Sequence, residues 1–217
     1  MIKKSISIAL TILAISISCQ KNNNQVKTKK IEPVNLIYTI DTKTYNNIKT
    51  TSYINWGASH LGGIEPKEGK IYCKEVTVLV NDGKITNINT LIDMNSLIVD
   101  NMSNKEALEL ESHLKSSDFF NTKKYPYSKF ELIKILEIEG HYNSIITGNL
   151  TILDTSRSIT FKANIKLSDA EVSLNSEKFV IDRSDWGLTY HAEGAEGVPL
   201  NYLISNDLQF SIDITVN

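Results

Sequence analysis

Residues Glu111–Phe130, ESHLKSSDFFNTKKYPYSKF, carry the chain from a helical pattern into a strand-like one. Just upstream, Ser103–Lys115 reads as a helix. Ser103 and Glu106 form an S-x-x-E capping box, and Ala107, Leu110 and Leu114 fall on one face at helical spacing. Glu111 and Lys115 make an i,i+4 pair on the other side. Downstream, Pro126 has a fixed φ and biases Tyr125 toward extended backbone, and a strand-like run begins at Ser128. Between the two lie adjacent phenylalanines, Phe119 and Phe120. Neighbouring side chains on an irregular segment cannot share one face, so their roles separate: one packs under the helix and the other lines the interior. The stretch predicts a helix capping one end of a sheet, an aromatic plug, and re-entry into the sheet.

The sheet on either side is legible from alternation. Ile159, Phe161, Ala163, Ile165 and Leu167 alternate with polar residues, as do Leu208, Phe210, Ile212, Ile214 and Val216. Strict period-two alternation marks strands with one apolar and one wet face. Ile71–Val80 and Ile85–Met94 flank the turn Asn81-Asp82-Gly83-Lys84, which predicts a hairpin. Val76, Val78 and Val80 face one way, with Ile88, Ile92 and Met94 facing the same way on the partner. Earlier strands are expected over Leu36–Ile40 and Ser52–Ser59. His60–Gly69, with three glycines and a proline, reads as a loop. Short strands separated by turn residues, with no helix-alternating pattern, predict an all-β antiparallel sandwich or barrel carrying one short docked helix.

The 217-residue chain divides into three segments. Residues 1–18 read as an export signal: Lys3 and Lys4 precede an apolar run, Ile6–Ile17, that is short for a membrane span. Ser18 before Cys19 suggests a lipoprotein cleavage site, with Cys19 becoming the lipidated N-terminus, although Ser16 stands where Leu is commoner. Residues 19–33 are then a lipidated tether, whose polar run Gln20–Lys30 reaches at most about 35 Å. Residues 34–217 form one domain, large enough for a real core. The chain is thus expected to be exported and lipid-anchored to a bacterial membrane, facing the periplasm. A formal net charge of −2 makes no electrostatic case for nucleic acid. A second copy of the chain is a candidate partner.

Catalytic patterns are scarce. No G-x-S-x-G elbow, phosphate loop or dinucleotide motif is present. With Cys19 in the leader, Cys73 is left without a disulfide partner and reads as a small buried hydrophobe. Glu193 and Glu196 sit in the glycine-rich run HAEGAEGVP and read as a solvated loop. His60, His113, His141 and His191 show no ligand spacing, so no metal is expected. His60 and His191 lie in loops that can meet at one barrel mouth. His113 reads as a hydrogen-bonding residue at the helix C-terminus. Arg183 reads as pairing locally with Asp182 or Asp185.

Three stretches carry a family resemblance. His113-Leu114-Lys115-Ser116-Ser117-Asp118-Phe119-Phe120-Asn121, with Tyr125-Pro126 and Phe130, resembles the signature segment of the YceI-like family. Gly148-Asn149-Leu150-Thr151-Ile152 is similar to its G-x-L-T-I strand, and Phe179–Tyr190 to its late I-D-R-x-x-x-G-x-x-Y segment. One departure stands out: Leu110-Glu111 replaces an Arg-Asp pair common in the family, so an arginine at that point is absent. The resemblance implies an antiparallel, lipocalin-like β-barrel with an apolar lumen that holds a polyisoprenoid or quinone-like lipid, and no enzymatic activity. The residues themselves leave a packed, ligand-free structural barrel open. On the lipid reading the candidate contacts are Trp56, His60, Phe119, Phe120, Phe130, Phe161, Phe179 and Tyr190, with Trp186 and Phe210 completing the aromatics at lumen-compatible positions.

Overall fold

The computed structural model describes residues 41–217. The leader, Cys19, the tether and the strand expected over Leu36–Ile40 lie outside the described residues. The elements run β1 (Thr42–Tyr45), β2 (Tyr53–His60), β3 (Ile64–Asn81), β4 (Lys84–Val99), α1 (Asn104–Lys115), β5 (Tyr127–Glu137), β6 (Ser144–Ile152), β7 (Thr155–Leu167), β8 (Val172–Ser176), β9 (Phe179–Asp182) and β10 (Asp207–Val216).

Consecutive antiparallel pairing runs from β3 through β4, β5, β6, β7 and β8 to β10, then to β2 and back to β3. The sheet therefore closes into an eight-stranded antiparallel barrel. β1 and β9 extend this wall rather than widening it: β1 flanks the end of β3 beyond β2, and β9 flanks the start of β10 beyond β8. Closure removes the bare edges that otherwise template aggregation. At one end Tyr45 donates to the Ser168 carbonyl at 2.8 Å, and Lys43 and Lys49 bond Asp169 and Glu171.

The expected hairpin is present. Asp82 and Gly83 both have positive φ, as a type I′ turn requires, and join β3 to β4. Val76, Val78, Val80, Ile88, Ile92 and Met94 are all buried. The expected loop over His60–Gly69 is largely strand instead. Only Leu61–Gly63 is irregular, and β3 already runs from Ile64. Pro66 is tolerated because the β2–β3 register skips between the Ala58–Lys67 and His60–Ile64 pairs, so no ladder donor is needed there.

Helix α1 starts where its sequence predicts, with Ser103 at the N-cap, but neither backbone bond of the capping box is made. The Ser103 hydroxyl donates to Glu106 Oε2 at 2.7 Å and takes no first-turn amide. Docking depends instead on Glu111, whose Oε1 accepts the Val99 amide of β4 at 2.9 Å while Oε2 lies 3.9 Å from Lys115 Nζ. Ala107 is buried, and Leu110 and Leu114 pack on the same core. The helix thus sits near one end of the barrel, as the helix-to-strand stretch predicts.

Candidate functional site

Inward side chains of alternating strands leave an interior that is not filled. A deep chamber with a cavity volume of about 110 Å³ is bounded by residues such as Ile54, Val78, Ile88, Leu150, Phe161, Leu174 and Ile212. Among the described residues, every one on its wall except Thr90 and Ser128 is apolar. A second chamber of about 120 Å³ lies under the helix. It is bounded by Trp56, Ala58, Leu110, Leu114, Phe119, Leu188 and Leu208, and by the ionisable residues His60, Glu65, Lys67 and Arg183. Ile71, Phe120 and Phe210 belong to both walls.

Seven of the eight candidate contacts fall on these walls. Phe130, Phe161 and Phe179 line the deep chamber; Trp56, His60 and Phe119 line the helix-side chamber; Phe120 lines both. Tyr190 is on neither wall. It packs instead in a ring cluster outside them, 5.1 Å from Phe119, 5.2 Å from His113 and stacked on His191 at 4.0 Å. Phe119 is only 9% exposed, held edge-on by His113 at 5.1 Å. His113 itself makes a 3.0 Å hydrogen bond to Asp118, the structural role expected of it. Both phenylalanines thus lie on chamber walls, Phe119 under the end of the helix on the helix-side wall alone and Phe120 on both.

Phe210, outside the candidate set, also lines both chambers; its place in the β10 alternation is the signal that finds it. It ends an aromatic arc across the deep wall. Phe130 and Phe161 lie 6.0 Å apart, Phe161 stacks on Phe179 at 4.7 Å, and Phe179 lies 6.0 Å from Phe210. Two glycines make room for aromatic neighbours. A Cβ on Gly148 would fall 2.2 Å from the Phe130 ring, and one on Gly69 would fall 1.8 Å from the Ile98 carbonyl. That carbonyl accepts the Trp56 indole N–H at 3.0 Å, so the second glycine fixes how Trp56 faces the helix-side chamber.

Arg183 departs from its expected pairing with an aspartate. Its side chain is 1% exposed and donates to four backbone carbonyls: Ser205 through Nε at 3.0 Å, Leu188 through Nη1, and Tyr190 and Ile204 through Nη2 at 3.0 and 3.1 Å. Burial pulls the guanidinium below its ordinary pKa, with Asp182 and Glu193 acting in the opposite direction. The group serves as a five-donor fork that ties the segment after β9 to the one before β10. The same region joins the two loop histidines. The His191 carbonyl accepts the Ile204 amide at 2.8 Å, and His60 Nδ1 lies 3.3 Å from the Leu203 carbonyl. Among the described residues no cluster of three or more His, Cys, Asp or Glu could hold a metal ion. Cys73, half-buried between the core clusters, has its thiol pKa pushed up to about 12 by burial, the opposite of a nucleophilic cysteine.

A closed eight-stranded antiparallel barrel around an apolar interior, with one helix at its end, defines the class of small barrel whose lumen is either packed or open to one ligand. The sequence pattern of the YceI-like domain matches residues 38–216, and the chain belongs to that family. A UPF0312 protein of Shewanella denitrificans is 31% identical over 134 residues, which take in 58% of this chain and 61% of that protein. The chain thus spans less than two thirds of that relative's own length. A UPF0312 protein of Pseudomonas putida is 36% identical over 55 residues, 25% of this chain and 28% of its own length. Two solved structures share the fold. BcnA of Burkholderia cenocepacia superposes with a TM-score of 0.57 at 17% identity, covering 76% of this chain and 96% of that one. A polyisoprenoid-binding domain from Saccharophagus degradans, implicated in plant cell wall breakdown, gives 0.58 at 12% identity over 80% and 97%.

Proposed function

We propose that this protein binds a long-chain apolar lipid, of polyisoprenoid or quinone-like type, in the barrel interior, as a lipoprotein anchored through lipidated Cys19 and facing the periplasm. The observation that carries the binding reading is the deep chamber: among the described residues its wall is aliphatic and aromatic side chains with two hydroxyls and no ionisable group. Such a wall recognises hydrocarbon by burial alone, at about 25 cal/mol per Å² of apolar surface, and offers nothing to polarise or deprotonate a bound molecule. The reading is therefore of binding without chemistry. The fold shared with a polyisoprenoid-binding domain supports it. The anchor rests on the leader pattern and on Cys19 after Ser18.

Native mass spectrometry of the purified full chain tests the binding. A co-purifying species that organic extraction removes, or uptake of an added prenol, is the expected result. A clean apo mass together with no prenol uptake overturns it. Fatty-acid labelling tests the anchor separately: label on the wild type should be lost in Cys19→Ser, and equal labelling of both would exclude Cys19 as the acceptor.

A further inference from the structure

We infer that Phe120 sets the length of apolar chain that the interior accepts, by partitioning it into two chambers; this rests on the lipid-binding reading above. Among the described residues three belong to both walls, and they come from three separate parts of the chain: Ile71 from β3, Phe210 from β10, and Phe120 from the plug after α1. Along each contributing strand the walls change over at this level. On β10, Leu208 faces the helix-side chamber and Ile212 the deep one; on β3, Lys67 and Val76 divide in the same way.

The three are not equally able to move. Ile71 and Phe210 sit on paired strands, Ile71 opposite Ile54 and Phe210 between Trp56 and Phe179. Their side chains are also held by packing: Ile71 is 5% exposed and the Phe210 ring lies 6.0 Å from Phe179. The backbone of the plug is also fixed. Phe120 donates to the Leu114 carbonyl at 3.0 Å, Asn121 to Ser116 at 2.8 Å and Thr122 to Lys115 at 3.0 Å. The Phe120 side chain is different: it is only half-buried, and unlike Phe119 it has no stacked or edge-on aromatic neighbour among the described residues. The partition therefore opens by rotation of one side chain on a rigid backbone. Both sides of the ring are apolar, so a hydrocarbon chain that passes it meets steric resistance and little desolvation cost. A short chain fills the deep chamber with the ring in place, whereas a long chain must turn the ring aside to continue under the helix.

The test is a competition between farnesol and solanesol for the purified full chain, read by native mass spectrometry. Phe120→Ala should shift the bound ratio toward solanesol by about tenfold, equivalent to about 1.4 kcal/mol. Phe120→Leu, a smaller change that keeps the core filled, should shift it part of the way and carries the test if the alanine variant does not fold. Leu97→Ala, which removes a buried side chain that is on neither wall, should lower stability and leave the ratio unchanged. If Phe120→Ala or Phe120→Leu binds both prenols in the wild-type ratio, the partition is refuted while lipid binding stands. If the wild type takes up neither prenol, the binding reading fails and this inference falls with it.

Discussion

The two chambers share strands, yet their walls are held by different forces. Around the deep chamber the backbone is almost all ladder, with β6 paired on both sides from Ser144 to Thr151. Its side chains can change volume without freeing any backbone. The helix-side chamber is closed by three side chain–backbone ties: Arg183 to four carbonyls, Trp56 to Ile98, and Glu111 to Val99. There a single substitution unfastens a segment. The difference teaches that mutations of similar size should act on ligand fit in one chamber and on the integrity of the wall in the other.

The sharpest way to break this comparison is Arg183→Leu. It strands the carbonyls of Leu188, Tyr190, Ile204 and Ser205 in a buried site, and should cost about 3–5 kcal/mol in a urea titration. A loss near zero would mean that the two chambers are held alike. Next in size is Gly148→Ala on the deep wall. Its methyl overlaps the Phe130 ring, which must turn or move inward, so a loss of about 1–3 kcal/mol is expected. Lipid uptake should fall with it, because the displaced ring occupies ligand space; unchanged uptake at lowered stability would show that the ring moves outward. The smallest effect belongs to Ser103→Ala. With its hydroxyl turned to Glu106 and no amide capped, it should cost less than the usual cap, under about 0.5 kcal/mol. A loss near 2 kcal/mol would show that the cap is made in solution.

The same contrast explains what could be read in advance. The deep chamber is written in alternation: on β7 from Ile159 onward and along β10 every second residue is apolar, and the turn Asn81–Lys84 pairs β3 with β4 in the register that buries Val76, Val78 and Val80. Period-two patterns encode which face is buried, so Phe130, Phe161 and Phe179 could be placed on the lumen. The helix-side chamber is periodic where its wall is strand or helix, as at Trp56–Ala58–His60, Leu208–Phe210 and Leu110–Leu114, but the side chain–backbone ties that fasten it obey no period. Arg183 beside Asp182 and Asp185 looks like a local ion pair, because the carbonyls it serves are 5 to 22 residues away. Glu111 looks like half of an exposed helix pair, yet its second oxygen holds β4. Pro66 and its neighbouring glycines suggest a loop because a bulge that spares a ladder donor leaves no mark in composition. Tyr190 carries the aromatic character of a lumen residue but belongs to the His113 cluster.

The pairing of β2 with β10 has a consequence in time. Asn55 and Ser211, 156 residues apart, meet across the strand pair that completes the ring, and their side chains bond at 3.0 Å. Until β10 has emerged, β2 lacks one neighbour and the cylinder is an open sheet. Contacts so distant in sequence make folding slow, since a long loop must close before any of them is gained. A nascent chain of this design can close its barrel only once its C-terminal strand has been delivered.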